Sequence, residues 1–263
     1  MHAKEAALAE GLAPLCLTWL AMPALDTDRF GTFTREVPRA GTQLEAARAK
    51  AMAALAACPQ AELAVASEGA FGPHPAVPIV PAGRELVLVL DRVGAELAGH
   101  DLTLDTNYAR AEVESIGEAL DFAARAGFPE HGVLLMAPGG VPPVTRDLGD
   151  ATALAAAAKA RLIEAGGLWI ETDMRAHRNP RRQAAIARAA ADLARRWAAR
   201  CPACARPHFT ARTAPGRPCA WCGGATDEAW RAVARCAGCG HEHVALIDPE
   251  RRADPGSCPH CNP

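Results

Sequence analysis

The chain predicts an α/β fold, with a mixed, mostly parallel sheet flanked by helices over residues 1–199 and a small double zinc-ribbon domain over residues 200–263. Three observations carry this expectation. Four CxxC pairs, Cys201/Cys204, Cys219/Cys222, Cys236/Cys239 and Cys258/Cys261, are confined to the end of the chain. Before them, short apolar runs alternate with longer helix-forming stretches, the pattern of strands joined by crossover helices. Clusters of glycine and proline punctuate these stretches.

Residues 3–12 read as a short helix, 15–20 as a buried strand and 26–41 as a polar loop. Residues 42–57 form a helix, with Thr42 as N-cap and Glu45 completing a capping box. A short strand, 63–66, precedes a loop over 69–83 that holds Pro73, Pro75, Pro78 and Pro81. Residues 85–91 are the best strand in the chain, and a turn at 92–94 leads to a second at 96–102. There follow a helix (113–126), a strand (132–136), a Gly/Pro loop (138–143), an Ala-rich helix (151–164) and a strand (167–171). The last helix, 180–200, carries Ile186, Ala190, Leu193 and Trp197 on one face. A domain of this kind places a strand before its first helix. Met1 therefore reads either as an internal methionine, with a first strand missing, or as a genuine short start.

The bulk properties exclude several classes. Half the residues are apolar and the net charge is −2, so the chain as a whole is not a polyelectrolyte partner of nucleic acid. No run reaches the ~18 apolar residues of a membrane span. Residues 12–25 are apolar, but Glu5 and Glu10 replace the basic start of a signal peptide. Cys16 and Cys58 stand alone. Clustered CxxC turns suit zinc in a reducing compartment, so the cytoplasm is the expected location.

Each CxxC turn points two thiolates at one ion, so the four turns predict two structural zinc sites with ligands Cys201, Cys204, Cys219, Cys222, Cys236, Cys239, Cys258 and Cys261. Matching neighbouring pairs gives two ordinary ribbons; a cross-braced match is the alternative. The tail has few large apolar residues, and metal replaces a core: structural zinc contributes about 10–16 kcal/mol in finger peptides. His208, His241, His243 and His260 read as exposed loop residues.

Three loops carry the candidate chemistry. The first runs Asp26-Thr-Asp-Arg-Phe-Gly-Thr-Phe-Thr-Arg-Glu-Val-Pro-Arg39 and supplies Asp26, Asp28, Thr32, Thr34 and Arg39. The second, around Ser67-Glu-Gly69, follows a strand, so Glu68 lies at a sheet edge where α/β folds bind ligands. The third runs Glu171-Thr-Asp-Met-Arg-Ala-His-Arg-Asn-Pro-Arg-Arg182, with Asn179 as the N-cap of the final helix. Arg175, Arg178, Arg181 and Arg182 crowd this positive helix end, which argues for a bound phosphate or carboxylate. Alternatively, they point into solvent or pair with Asp26, Asp28 or Asp173. Arg181, Arg188 and Arg195 form a stripe that reads as a solvated face or a nucleic-acid contact.

Together with the paired-cysteine tail, these loops resemble the bacterial family called domain of unknown function 6671. The likeness covers essentially the whole chain, and His2-Ala-Lys-Glu5 matches a segment that follows the family's first strand. Separately, Glu45-Ala-Ala-Arg-Ala-Lys50-Ala51 is similar to the Glu-Asn-Ala-x-x-Lys-Ala helix of house-cleaning nucleoside triphosphate pyrophosphatases of the inosine triphosphatase and Maf-like fold. Ser67-Glu68-Gly69 and Ala176-His177-Arg178 follow in that family's order. Ala46 stands where those enzymes have Asn, and their opening Asn-x-x-Lys is absent.

The leading expectation is therefore a Mg²⁺-dependent hydrolase of a phosphorylated small molecule, most simply a nucleotide. Glu68 and Glu45 would hold the metal, with help from Asp26 or Asp28. Lys4, Lys50, Arg39, Arg175 and Arg178 would bind phosphate, and Ser67, Thr32, Thr34 and Asn179 would position substrate. Asp173 and His177 complete the catalytic set, with His177 as proton relay. The rival expectation is a non-enzymatic zinc-ribbon protein that binds nucleic acid or a protein partner, and the third is a zinc-stabilised scaffold without a ligand site.

Overall fold

The computed structural model describes residues 4–20, 25–31, 37–39 and 41–263. The chain divides into two compact units, Met1–Ala194 and Arg195–Pro263.

The larger unit holds two antiparallel sheets. In the first, β1 (Leu63–Pro73), β2 (Pro81–Asp91) and β3 (Glu96–Thr103) form a meander in that order. In the second, β4 (Arg110–Val113), β5 (Val133–Ala137), β6 (Val141–Thr145) and β7 (Leu168–Thr172) lie in the order β4-β7-β5-β6. Every pairing in both sheets is antiparallel, which corrects the expected mostly parallel sheet. The reason lies in one inserted hairpin. β4 and β5, joined by α3 (Ile116–Ala126), do run in the same direction, as a crossover predicts. However, β6 turns the chain back before α4 (Ala151–Ala165), so β7 arrives antiparallel and slots between β4 and β5.

Other differences have local causes. The apolar run at 15–20 forms no strand: it follows the 3-10 turn Ala13–Leu15, and Trp19 and Leu20 are exposed. Much of the supposed loop at 69–83 belongs to strands, because Pro73 closes β1 and Pro81 opens β2, strand-end positions that tolerate proline. Proline is tolerated in β6 for a similar reason, since β6 is an edge strand.

The first sheet is covered on both faces. On one face, Ala47, Ala51 and Leu55 of α2 (Gln43–Ala57) pack with Ala64 and Ala66 of β1 and Leu86, Leu88 and Leu90 of β2. The capping box expected at Thr42 and Glu45 starts this helix. The other face takes α5 (Pro180–Ala198), which approaches β3 closely at Gly99, where a Cβ would overlap the Ala189 carbonyl and the Leu193 amide. Buried Asp192 of α5 accepts the His100 amide at 3.0 Å. The α1 helix (Glu5–Leu12) also reaches α5 closely at Gly11, where a Cβ would meet Ala187 and Ala190. The second sheet buries Val113, Val133, Leu135, Leu168 and Ile170 against Phe122 and Ala123 of α3 and Leu154 and Ala158 of α4.

The smaller unit contains a three-stranded antiparallel sheet, β10-β9-β8, from β8 (Ala211–Pro215), β9 (Ala229–Arg235) and β10 (Glu242–Leu246). Arg217 takes the place of an apolar core residue here. Its buried guanidinium donates to the carbonyls of Ala229, Ile247, Asp248 and Arg251 at 2.8–3.1 Å and lies over the Trp230 ring.

The close approach at Gly99 gives a direct test of this packing. Gly99→Ala lowers folding stability by about 1–3 kcal/mol, the usual cost of overpacking. Gly72→Ala, where a Cβ meets nothing within 4 Å, stays within about 0.5 kcal/mol of wild type. Denaturant titration of the two variants reads the contrast.

Candidate functional site

The larger unit gathers charge around the middle of β1. Glu68, almost fully buried, accepts Lys50 Nζ from α2 on one carboxylate oxygen and Arg39 Nη2 on the other, the latter at 3.2 Å. Arg39 also donates to the Gly69 carbonyl at 2.5 Å. Gln43 bridges the Glu68 and Arg84 carbonyls at 2.7 and 2.9 Å and so ties the start of α2 to both strands. Lys4 Nζ lies 3.3 Å from the Ser67 carbonyl. Across the ladder, Gly69 pairs with Glu85 of β2, whose buried carboxylate takes Arg182 Nε from α5 at 2.8 Å. Arg182 further donates to the Met174 carbonyl and lies over the Phe71 ring. The missing side chain of Gly69 makes room for this pair, since a Cβ there would come within 2.5 Å of Glu85 Oε1.

Five of the residues expected at the site thus meet: Lys4, Arg39, Lys50, Ser67 and Glu68. Burial pushes the Lys4 ammonium down to about 7; the Arg182 and Lys50 charges push the same way, against Glu85 and Glu68.

The remaining expected residues take other places. Glu45, expected beside Glu68 on a metal, instead accepts the Thr42 amide at 2.7 Å, and this bond holds its carboxyl below the usual range. Asp173 is fully buried and clamps Arg175 through bonds of 2.7–3.1 Å, while Asp147 takes the same guanidinium at 2.7 Å. Arg178 donates to the Leu148 carbonyl. His177 is exposed, and partial desolvation, with the Arg175 charge behind it, disfavours its imidazolium. Asn179 accepts the Arg182 amide at 3.1 Å, as an N-cap does. Asp26 is exposed; the side chain of Asp28 and all of Thr32 and Thr34 lie outside the described residues. Three of the four crowded arginines therefore find counter-charges within the protein, Arg175 on Asp173 and Asp147, Arg181 on Asp105 and Arg182 on Glu85, and within the stripe Arg188 pairs with Asp101. Sequence reasoning passed over Glu85, and of the arginine run it assigned Arg175 and Arg178 to phosphate, whereas Arg182 is the one that reaches β2. An acidic residue opening an otherwise apolar strand was the available signal.

These carboxylates do not fit a magnesium ion. Both oxygens of Glu68 face cations, Glu45 is spent on its helix start, and among the described residues the only clusters suited to a metal are made of cysteine.

The cysteines form two clusters, Cys201/Cys204/Cys236/Cys239 and Cys219/Cys222/Cys258/Cys261, with all ligand atoms in each within 4.8 Å of one another. The pairing is interleaved, first with third and second with fourth, which corrects the expected match of neighbours. The cause is β9, which carries the chain away from the second pair and delivers Cys236 to the first. Sulfur separations of 3.7 Å (Cys201–Cys239), 3.5 Å (Cys204–Cys236), 4.0 Å (Cys219–Cys261) and 3.7 Å (Cys222–Cys258) match the edge of about 3.8 Å that a tetrahedron with 2.3 Å Zn–S bonds requires. Amide N–H groups of Cys239 and Gly238 hold the Cys236 thiol down at about 6, and those of Cys261 and His260 hold Cys258 at about 7. The Cys222 sulfur and burial push Cys261 up to about 12, as expected where four sulfurs cannot all ionise without a cation. The donor set fits zinc, and a closed four-thiolate site is structural.

A family model described as Domain of unknown function (DUF6671) matches residues 50–263. No curated protein and no solved structure matches the chain. No helix among the described residues is long and apolar enough to cross a membrane.

Interleaving makes the two ions interdependent, since each closes a loop containing ligands of the other. Cys236→Ser, which removes one ligand of the first site, empties both sites instead of one. Native mass spectrometry of the variant would then show metal-free chain rather than a stable one-zinc species.

Proposed function

The chain belongs to the DUF6671 family, and from its own residues we propose that the larger unit binds a phosphorylated small molecule, with a nucleotide as the leading candidate, at the cluster of Lys4, Arg39, Lys50 and Arg182. One observation carries this reading. Among the described residues, those four cations face two carboxylates, Glu68 and Glu85, so the cluster is net positive in a largely buried place when Lys4 is protonated. Buried cations without a counter-charge are costly, and an anion relieves the cost.

The geometry supports a specific way of binding. Glu68 occupies the position of the anion: Lys50 and Arg39 both hold it. A phosphoryl group competing for these donors displaces the Glu68 carboxylate and leaves it beside the phosphorus. The chemistry this allows is hydrolysis: water attacks phosphorus, Glu68 takes the water proton, the bond to the leaving oxygen breaks, and Lys4 returns a proton to that oxygen. Lys50 and Arg39 would neutralise the charge that develops. The weak likeness of the α2 helix to nucleotide pyrophosphatases agrees with this chemistry but does not supply it.

Inorganic phosphate, pyrophosphate and a nucleotide panel, each with and without Mg²⁺, test the proposal through thermal shift and phosphate release. Binding raises the melting temperature of wild type, and Lys50→Ala removes most of that shift. Glu68→Gln keeps binding but loses hydrolysis. An absence of any shift, with Lys50→Ala indistinguishable from wild type, overturns the reading.

The lowered Lys4 value adds a pH dependence with a defined sign. A bound anion favours the charged amine, so above about pH 7 binding must take up a proton. Affinity for phosphate therefore falls from about pH 8 to about pH 9, where the phosphate itself is already dianionic, and Lys4→Arg flattens that slope. Calorimetry in two buffers of different ionisation enthalpy would read the uptake directly.

A further inference from the structure

Among the described residues, Lys4 makes no ion pair, whereas Lys50 is held by Glu68 and the third lysine of the chain, Lys159, stands in solvent on α4. The half-buried side chain of Lys4 ends against β1, with Nζ 3.3 Å from the Ser67 carbonyl. Charges on four elements act on it: Arg182 of α5 and Lys50 of α2 disfavour the ammonium, and Glu85 of β2 and Glu68 of β1 favour it. Both acids are already engaged, Glu68 with Lys50 and Arg39 and Glu85 with Arg182. Burial decides the balance and brings the amine down to about 7. At about pH 8 such an amine is about 90% neutral, against about 0.4% for an ordinary lysine. A neutral amine lodged beside other cations is a nucleophile. Arg182 Nη2 lies over Gly69, where a Cβ would stand 2.8 Å from it, and Gly69 is two residues from Ser67 on the same face of β1. With Lys4 neutral, Arg39, Lys50 and Arg182 still outnumber Glu68 and Glu85 among the described residues, so the cluster accommodates a further anion.

We propose that Lys4 is a carbamylation site: it takes up carbon dioxide and becomes an anionic carbamate stabilised by the cations around it. The nitrogen lone pair attacks the carbon of CO₂, a C–O π pair moves onto oxygen, and a proton passes from the nitrogen to water. The products are a carbamate and one proton, with no change of oxidation state. The carbamate nitrogen keeps one hydrogen, so its bond to the Ser67 carbonyl survives. Carbon dioxide suits the place because it is small and uncharged and enters without the desolvation cost of an anion. The product carries the negative charge that the cluster lacks. An aldehyde or ketone would instead give an imine, which brings no negative charge and gains nothing from Arg39, Lys50 and Arg182. The inference goes beyond phosphate binding but draws on the same cluster, so CO₂ and phosphate compete: each supplies the same missing charge.

The test equilibrates the complete, zinc-loaded wild-type chain with isotope-labelled bicarbonate, traps carbamate as its ethyl ester with a trialkyloxonium salt, and locates the label by mass spectrometry of the digest. At about pH 8, label at Lys4 should exceed that at Lys159 at least about tenfold, and fragmentation separates it from label on an α-amino group. At fixed dissolved CO₂, labelling of Lys4 rises through about pH 7 and levels off, whereas an ordinary lysine keeps rising until about pH 10. Lys4→Arg keeps the positive charge and loses the carbamate carbon signal from the NMR spectrum of the labelled protein. Equal label on Lys4 and Lys159, or a Lys4 profile still climbing at about pH 9, overturns the proposal. Because both readings are made on wild type, a folding defect cannot imitate either result. Phosphate in CO₂-free buffer tests the anion reading alone. Label at Lys4 without a phosphate-induced thermal shift would sink that reading and leave this one standing, and a shift without label would do the reverse.

Discussion

The larger unit is organised around the buried ion pair between Glu85 and Arg182. Both side chains are fully removed from solvent, so each would be prohibitively costly alone. Glu85 belongs to the central strand of the first sheet, and Arg182 to the first turn of α5. The same guanidinium binds the Met174 carbonyl, in the loop that leaves the second sheet. One side chain therefore ties the interior of the first sheet's central strand to the exit of the second sheet and the start of the helix that covers the first. Breaking such a pair costs about 3–5 kcal/mol, more than any single surface contact here.

That anchor also explains why positive charge collects beside β1. Arg182 is needed where it is for structural reasons, and its presence lowers the proton affinity of Lys4. Lys50 and Arg39 then share a single carboxylate. Among the described residues, the cluster holds more cations than acids, and backbone contacts at Ser67 and Gly69 help to hold it in place.

What the sequence made legible follows from what is local. The capping box at Thr42, the apolar run of β2 and the thiolate spacing are written within a few residues, and each stands where the residues placed it. Strand direction is not local. The helix between β4 and β5 carries the periodicity of a crossover whether or not another strand later inserts between them, and the short strand β6, with its paired prolines, reads as a loop. The same limit applies to the arginines near Asn179. Sequence shows four guanidiniums at a helix start, but which one turns inward depends on their angular positions about α5 and on an acid almost a hundred residues earlier. The grouping of the cysteines depends likewise on the path of β9, which spacing does not encode.

The interleaved cysteines change what a proteolytic nick would do. A cut between Cys222 and β9, at exposed Gly223 for example, leaves Cys201, Cys204, Cys219 and Cys222 on one fragment and the other four ligands on its complement. Both ions then span the break and clasp the fragments together, whereas two ribbons in tandem would simply part. The tail is in this sense a lock with two bolts thrown across the same gap, and its integrity outlasts that of its backbone.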